Sequence, residues 1–171
     1  MSETADHTAR EYVTALIGGQ LFGLPILRVQ DVFAPERLTT VPLAPAEIAG
    51  VLNLRGRIVT LINMRCRLGL GGEQDNSLPM AVGVESRGES YGLLIDSVGE
   101  VLKLDDMTCE PNPSNLDPRL ASVSTGIWKV FGRASWMQSG KRRAKAVVPV
   151  SSVWRLGVTA LPDMSSRSGN Y

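Results

Sequence analysis

The sequence predicts an all-β barrel fold with little helix. Short runs of β-formers recur along the chain, turn residues separate them, and almost no segment has a helical period. A chain of 171 residues can bury most of its unfolded surface in one domain, or in two small subdomains around one core, without disulfides or metals. Apolar residues make up 43% and charged residues 20%, an ordinary globular balance. Aromatics are only 5%, so Val, Ile, Leu and Ala must fill the core.

Residues 1–10 read as a polar arm. Glu11 to Gly18 is rich in β-formers and stops at Gly18-Gly19, a turn signal. The run resumes from Leu21 to Val32. Pro25 cannot donate to a ladder and belongs at an edge, a bulge or a strand boundary. Beyond it, Ile26, Leu27, Val29 and Val32 suit either a strand or one amphipathic turn. Ala46 to Ala49 is expected to make one helical turn closed by Gly50. The strongest strand pair follows: Val51 to Leu54 and Ile58 to Ile62 flank Arg55-Gly56, a tight hairpin in which Gly56 is free to take φ > 0. Residues 69–78 form a loop or subdomain joint. Met80 to Glu85 and Tyr91 to Ile95 flank a turn of four to five residues, Ser86 to Ser90, and Val98 to Leu102 is another strand. Residues 110–119 hold three prolines and read as a connecting loop, after which Gly126 to Val130 starts one more strand. The expected domain division is the arm 1–10, a body 11–130 with approximate subdomains 11–78 and 79–130, and a segment 131–171 of different composition.

The net charge of +1 gives no attraction for nucleic acid or membranes. It conceals a reversal. Residues 1–130 carry 11 Lys and Arg against 16 Asp and Glu, a net −5, whereas residues 131–171 carry 7 against 1, a net +6. The basic run Lys141-Arg142-Arg143-Ala144-Lys145 is a solvated tail more readily than a phosphate patch, because no aromatic platform interleaves it. No apolar stretch approaches the ~18 residues that span a bilayer. The N-terminal residues lack a secretory apolar region, and two isolated cysteines suit a reducing compartment, so a cytoplasmic location is expected.

Catalysis has little support. The single histidine, His7, sits in the polar arm, and a Cys–His pair would need it to fold back on Cys66 or Cys109. Cys66 lies in Met-Arg-Cys-Arg-Leu, where a small buried filler is the usual role, although its arginine neighbours could lower a thiol pKa. Asp105-Asp106 reads as a turn rather than a catalytic pair. Metal-ligand clusters, phosphate loops and glycine fingerprints are all missing from the sequence, and no cofactor is expected. The informative constellation is Asn53-Leu54-Arg55-Gly56 after Gly50, where an arginine at a hairpin tip projects a rigidly placed charge. Val29, Gln30, Asp31 and Val32 form a mixed apolar–acidic strip, as readily core edge as interface.

On these residues the chain resembles the CheW family of bacterial chemotaxis coupling proteins. Phe22 to Val32, Val41 to Leu70 and Tyr91 to Leu104 are similar to three of its motifs in the right order, and Gly126 to Val130 to the start of a late strand. The agreement covers about residues 11–130. Asn63 stands where the family usually has Asp, and Asp31 where it usually has Glu. From Phe131 the pattern departs: a polar, basic stretch replaces an apolar strand, which would leave an open barrel edge for Val147-Val148 or Val153 to Val158 to cover. The resemblance implies two small SH3-like five-stranded barrels sharing an apolar core. It also implies a non-catalytic adaptor that bridges chemoreceptor cytoplasmic tips to the regulatory domain of the histidine kinase CheA, associated with membrane-bound arrays but not inserted in the membrane. Carried over by position, Val29, Asp31 and Val32 fall on a partner-contact strip. Arg55 falls on the arginine of the receptor-contact hairpin, which Gly50, Asn53, Leu54 and Gly56 complete. The alternatives left open are a scaffold for a non-motility array and a nucleic-acid-binding small barrel, the latter opposed by the body's negative charge.

Overall fold

The structure is a computed structural model that describes residues 9–71 and 79–128. Eight strands carry it: β1 (Ala9–Ile17), β2 (Gln20–Pro25), β3 (Val29–Phe33), β4 (Ile48–Leu54), β5 (Arg57–Asn63), β6 (Met80–Ser86), β7 (Glu89–Ile95) and β8 (Ser97–Asp105). Two short helices, α1 (Met64–Leu68) and α2 (Pro118–Val123), complete it together with single 3₁₀ turns at Ile26–Arg28 and Asp106–Thr108. The all-β expectation with little helix describes this architecture.

Three hairpins have two-residue loops in which both φ angles are positive: Gly18-Gly19 (57° and 74°), Arg55-Gly56 (52° and 85°) and Arg87-Gly88 (53° and 80°). This is the type I′ pattern, whose twist matches that of the flanking strands. The β6–β7 turn is thus tighter than the expected four to five residues, because Arg87-Gly88 can adopt the same pair of left-handed conformations as Arg55-Gly56.

The strands pair into two sheets, β2-β1-β8 and β3-β6-β7-β5-β4. All neighbours are antiparallel except β5 and β7. Each sheet draws strands from both sides of residue 78. Alternation places Val82, Val84, Tyr91, Leu93 and Ile95 on one face of the five-stranded sheet. That face packs against Ala15, Ile17, Phe22 and Leu24 of the other sheet, with Met64 and Leu68 of α1 and Leu120 and Val123 of α2 sealing the same core. The opposite face holds a smaller cluster of Leu52, Val59, Leu61 and Ala81, with Phe33, Leu54 and Leu94 against it. Gly92 keeps this second interior open, since a Cβ there would lie 2.3 Å from Cδ2 of Leu61.

Other local expectations are corrected. Ala46 to Ala49 is no helical turn: β4 already starts at Ile48, and Gly50, at φ 149°, is a bulge in that strand. Ile26 to Val32 divides into a 3₁₀ turn and then β3. β1 begins at Ala9, inside the segment expected to be a polar arm. Both helices were unforeseen, yet each has a legible start. Asn63 Oδ1 accepts from Cys66 N at 3.1 Å, and Asp117 accepts from Arg119 N beside Pro118 in the first turn. Of the strand expected from Gly126 to Val130, the described residues show one bridge, Glu110 with Ile127, and Trp128 packs on Tyr12 with ring centroids 5.7 Å apart; Lys129 and Val130 lie outside the described residues. His7, the basic run 141–145 and the apolar stretches at 147–148 and 153–158 lie outside the described residues.

Candidate functional site

The β4–β5 hairpin is built from residues with distinct tasks. Gly50 lets β4 pass the carbonyl of Thr39, which pairs with Val51. Asn53 Oδ1 accepts from Gly56 N at 2.8 Å and pins the turn. Leu54 roots the tip in the second apolar cluster. Gly56 has open space around it, so its backbone conformation alone calls for glycine. Held this way, the Arg55 side chain stands 83% exposed.

The β3 strip lies across from it. Val29 is half-buried against the main core, while Val32 is 38% exposed. One oxygen of Asp31 accepts from Val32 N at 2.8 Å, and the other lies 3.4 Å from Arg55 Nη1. Strands β3 and β4 are the outer strands of the five-stranded sheet, and the Arg55 side chain, from the turn that follows β4, reaches Asp31 of β3. An exposed pair of this kind contributes only about 0–1 kcal/mol to stability; its value is positional. Of the strip and the hairpin the structure brings Asp31 and Arg55 together, while Val29 packs toward the main core and Gly50 shapes β4 behind the tip.

Between the two strips lies an open groove of about 240 Å³ with Phe33, Leu54 and Val59 in its lining and Asp31, Arg55 and Arg57 among its polar groups. Tyr91 also lines it. Phe33, Arg57, Val59 and Tyr91 were not singled out from sequence. The period-2 alternation of β5 would have placed Arg57 and Val59 on the face of Leu54, but Tyr91, which also packs in the main core, is brought to the groove by strand pairing that alternation does not give, opposite Val84 of β6.

The Tyr91 hydroxyl donates to Glu89, and burial together with that carboxylate pushes its phenol up to about 12 from 10.0. Because the folded value is the raised one, its stabilising effect is complete below pH 10.0 and is lost as pH rises toward about 12. Tyr91→Phe should therefore lose less stability than the parent chain over that window, measured by urea unfolding at successive alkaline pH values. Equal losses in the two proteins would place the alkaline sensitivity elsewhere, for example at Tyr12, which burial also raises.

Among the described residues nothing assembles a nucleophile. Cys66 is exposed, not the buried filler expected, because α1 turns Met64 and Leu68 inward and leaves Cys66 outside. Its arginine neighbours are engaged by carboxylates: Arg65 binds Asp96 at 2.6 and 2.7 Å, and Arg67 binds Glu47 at 3.1 Å. Burial, then Asp106, pushes the Cys109 thiol up, opposite to what a reactive cysteine needs. Asp105 caps the following 3₁₀ turn and Asp106 pairs with Arg10 at 3.1 Å, so the two carboxylates act structurally. Among the described residues no three His, Cys, Asp or Glu side chains group to hold a metal, and no helix is long and apolar enough to cross a membrane.

Comparison with known proteins agrees with this geometry. The family model of the CheW-like domain matches residues 11–140, continuing past the point at Phe131 where the sequence was expected to depart. The chain is 27% identical to a chemotaxis protein CheW of Rhizobium meliloti over 136 residues, covering 78% of this chain and 88% of that protein. It is 31% identical to a probable chemotaxis protein CheW of Rhizobium etli over 124 residues, covering 72% and 75%. The crystal structure of the scaffolding protein TtCheW from Thermoanaerobacter tengcongensis superposes with a TM-score of 0.66 at 27% identity, covering 83% of this chain and 88% of that one. Two sheets around a shared apolar core and an exposed hairpin arginine are thus found in a chain that belongs to the CheW-like domain family of non-catalytic chemotaxis adaptors.

Proposed function

We propose that this chain couples chemoreceptor cytoplasmic tips to the regulatory domain of a CheA-type histidine kinase, in the cytoplasm beside membrane-bound receptor arrays. The observation that carries the proposal is the 3.4 Å contact of Arg55 with Asp31 across the groove, which joins the hairpin tip and the β3 strip into one surface. The surface has the composition of an adaptor contact: an arginine anchor, a partly exposed valine and an apolar-lined groove, bordered by charge. No cofactor takes part. Arg55 and the hairpin residues Asn53, Leu54 and Gly56 meet the receptor, while Val29, Asp31 and Val32 extend the contact surface.

Arg55→Ala is expected to weaken binding of a receptor cytoplasmic fragment by about 2 kcal/mol, roughly thirtyfold, as for an interface anchor. Its urea midpoint should stay near that of the parent chain, because the pair it breaks is exposed. Titration calorimetry with the receptor fragment and with the kinase regulatory domain measures the effect. A loss of stability as large as the loss of binding would make Arg55 structural, and unchanged affinity for both partners would refute the proposal.

A further inference from the structure

The groove between the two strips carries a charge that its own walls leave open. Among the described residues its lining holds three charged side chains, Asp31, Arg55 and Arg57. Asp31 and Arg55 face each other at 3.4 Å, and the other oxygen of Asp31 accepts from Val32 N at 2.8 Å. Arg57 has no ion-pair or hydrogen-bond partner among the described residues. The carboxylates on the neighbouring strands are engaged as well: Glu85 accepts from Gln30 Nε2 at 2.8 Å, and Glu89 accepts from the Tyr91 hydroxyl. The lining is thus one positive charge in excess, and that charge is Arg57.

Its mounting is specific. Arg57 lies opposite Leu54 where the hairpin closes, and two residues before Val59, so alternation puts all three on one face. Val59 is buried in the second apolar cluster, with Leu54 and Phe33 packed against it. The turn beneath is pinned by Asn53 Oδ1, which accepts from Gly56 N. The base of the Arg57 side chain is therefore fixed, while its guanidinium is exposed over an apolar wall. The size of the groove limits what can enter. About 240 Å³ is less than the roughly 300–1,000 Å³ of small-molecule sites and suits one or two side chains of a passing segment. An apolar wall with one unpaired arginine at its rim complements an apolar side chain beside an anionic one. A guanidinium takes a carboxylate through paired N–H donors, a contact that a water-excluding wall strengthens.

We propose that the groove receives a protein segment in which a carboxylate neighbours an apolar side chain, the carboxylate pairing with Arg57 and the apolar group lying against Phe33, Leu54 and Val59. This rests on the adaptor reading: the segment belongs to the receptor cytoplasmic tip that meets Arg55, and Arg57 is a specificity residue for it.

The test uses the full chain, Arg57→Gln and Arg57→Lys, titrated with the receptor cytoplasmic fragment and separately with the kinase regulatory domain. Arg57→Gln is expected to bind the receptor fragment about tenfold more weakly in about 0.05 M salt, and less than about threefold more weakly in about 0.5 M salt, where exposed charges are screened within a few ångströms. Arg57→Lys keeps the charge without the fork and should fall between parent and Arg57→Gln. Kinase affinity and the urea midpoint should match those of the parent in both variants. Unchanged receptor affinity in Arg57→Gln, with Arg55→Ala still weakened, overturns the inference and leaves the adaptor reading standing. An equal loss at both salt concentrations overturns the carboxylate, since a contact made by shape alone is not screened. A loss confined to the kinase domain overturns the receptor as occupant, and a fall in urea midpoint as large as the loss of binding makes Arg57 structural. If the parent binds neither fragment, the adaptor reading fails and this inference with it.

Discussion

Asp96→Ala is expected to lose about 3–4 kcal/mol of stability in urea, the low end of what breaking a buried ion pair costs. Asp96 lies between β7 and β8 and serves three elements at once. Its Oδ1 accepts from Arg65 Nε at 2.6 Å, and its Oδ2 accepts from Arg65 Nη2 at 2.7 Å and from Gly18 N at 2.7 Å. Both side chains are 16% exposed, so water can replace only part of what is lost. Truncation removes the carboxylate that two Arg65 nitrogens share in a shielded site and leaves the Gly18 amide without this acceptor. The loss is shared between α1, the β1–β2 turn and the β7–β8 junction, so the two sheets should loosen together. Asp96→Asn keeps the shape and one acceptor, and should fall between the two. A loss under about 1 kcal/mol for Asp96→Ala would show that solvent already screens the pair.

Gly50→Ala is expected to cost about 3 kcal/mol, and Gly56→Ala only about 1 kcal/mol, although both glycines belong to the same hairpin. The difference is in what a Cβ would meet. At Gly50 it would lie 2.6 Å from the Thr39 carbonyl oxygen, on a backbone at φ 149°. Thr39 is fixed by its two hydrogen bonds to Val51, so relief requires breaking that bridge. At Gly56 nothing lies within 4 Å, and only the strain of φ 85° remains. Urea unfolding gives the two losses. Amide exchange at Val51 should accelerate in Gly50→Ala but not in Gly56→Ala, and equal losses would mean that the Thr39 segment yields without cost.

Much of this was legible from residue types. The β4–β5 hairpin follows from Arg-Gly between β-rich runs, and strand class follows from β-branched enrichment and turn spacing. The contact strip and the hairpin were recognised separately. That Asp31 and Arg55 meet was not legible, because their 3.4 Å approach depends on the tertiary arrangement of the sheet, about which sequence alternation says nothing. Gly50 misled for a related reason. A glycine after Ala-Glu-Ile-Ala reads as a helix stop, yet here it serves the close passage of one backbone over another. The helices were missed because five- and six-residue segments are too short for a period to show, leaving only their caps as signals. Cys66 was misplaced because a single turn of helix, not its apolar neighbours, decides which way it points.

The pairing of β1 with β8 has a kinetic consequence. β1 can close on β2 across Gly18-Gly19 as soon as both exist, a hairpin event on the order of 1–10 μs. Its other edge finds a partner only when Ser97–Asp105 has been made, with Leu16 opposite Ser97 and Ala9 opposite Asp105. At about 5–20 residues per second, synthesis separates Ile17 from Ser97 by roughly 4–16 s. Throughout that interval on the ribosome the β1–β2 ribbon has an unpaired edge and apolar side chains such as Phe22 and Ile17 awaiting their cover. Final assembly is therefore set by when the last strand emerges rather than by how fast the first hairpin forms, and a nascent chain stalled before Ser97 should be far more sensitive to protease and to aggregation than one stalled after α2 has emerged.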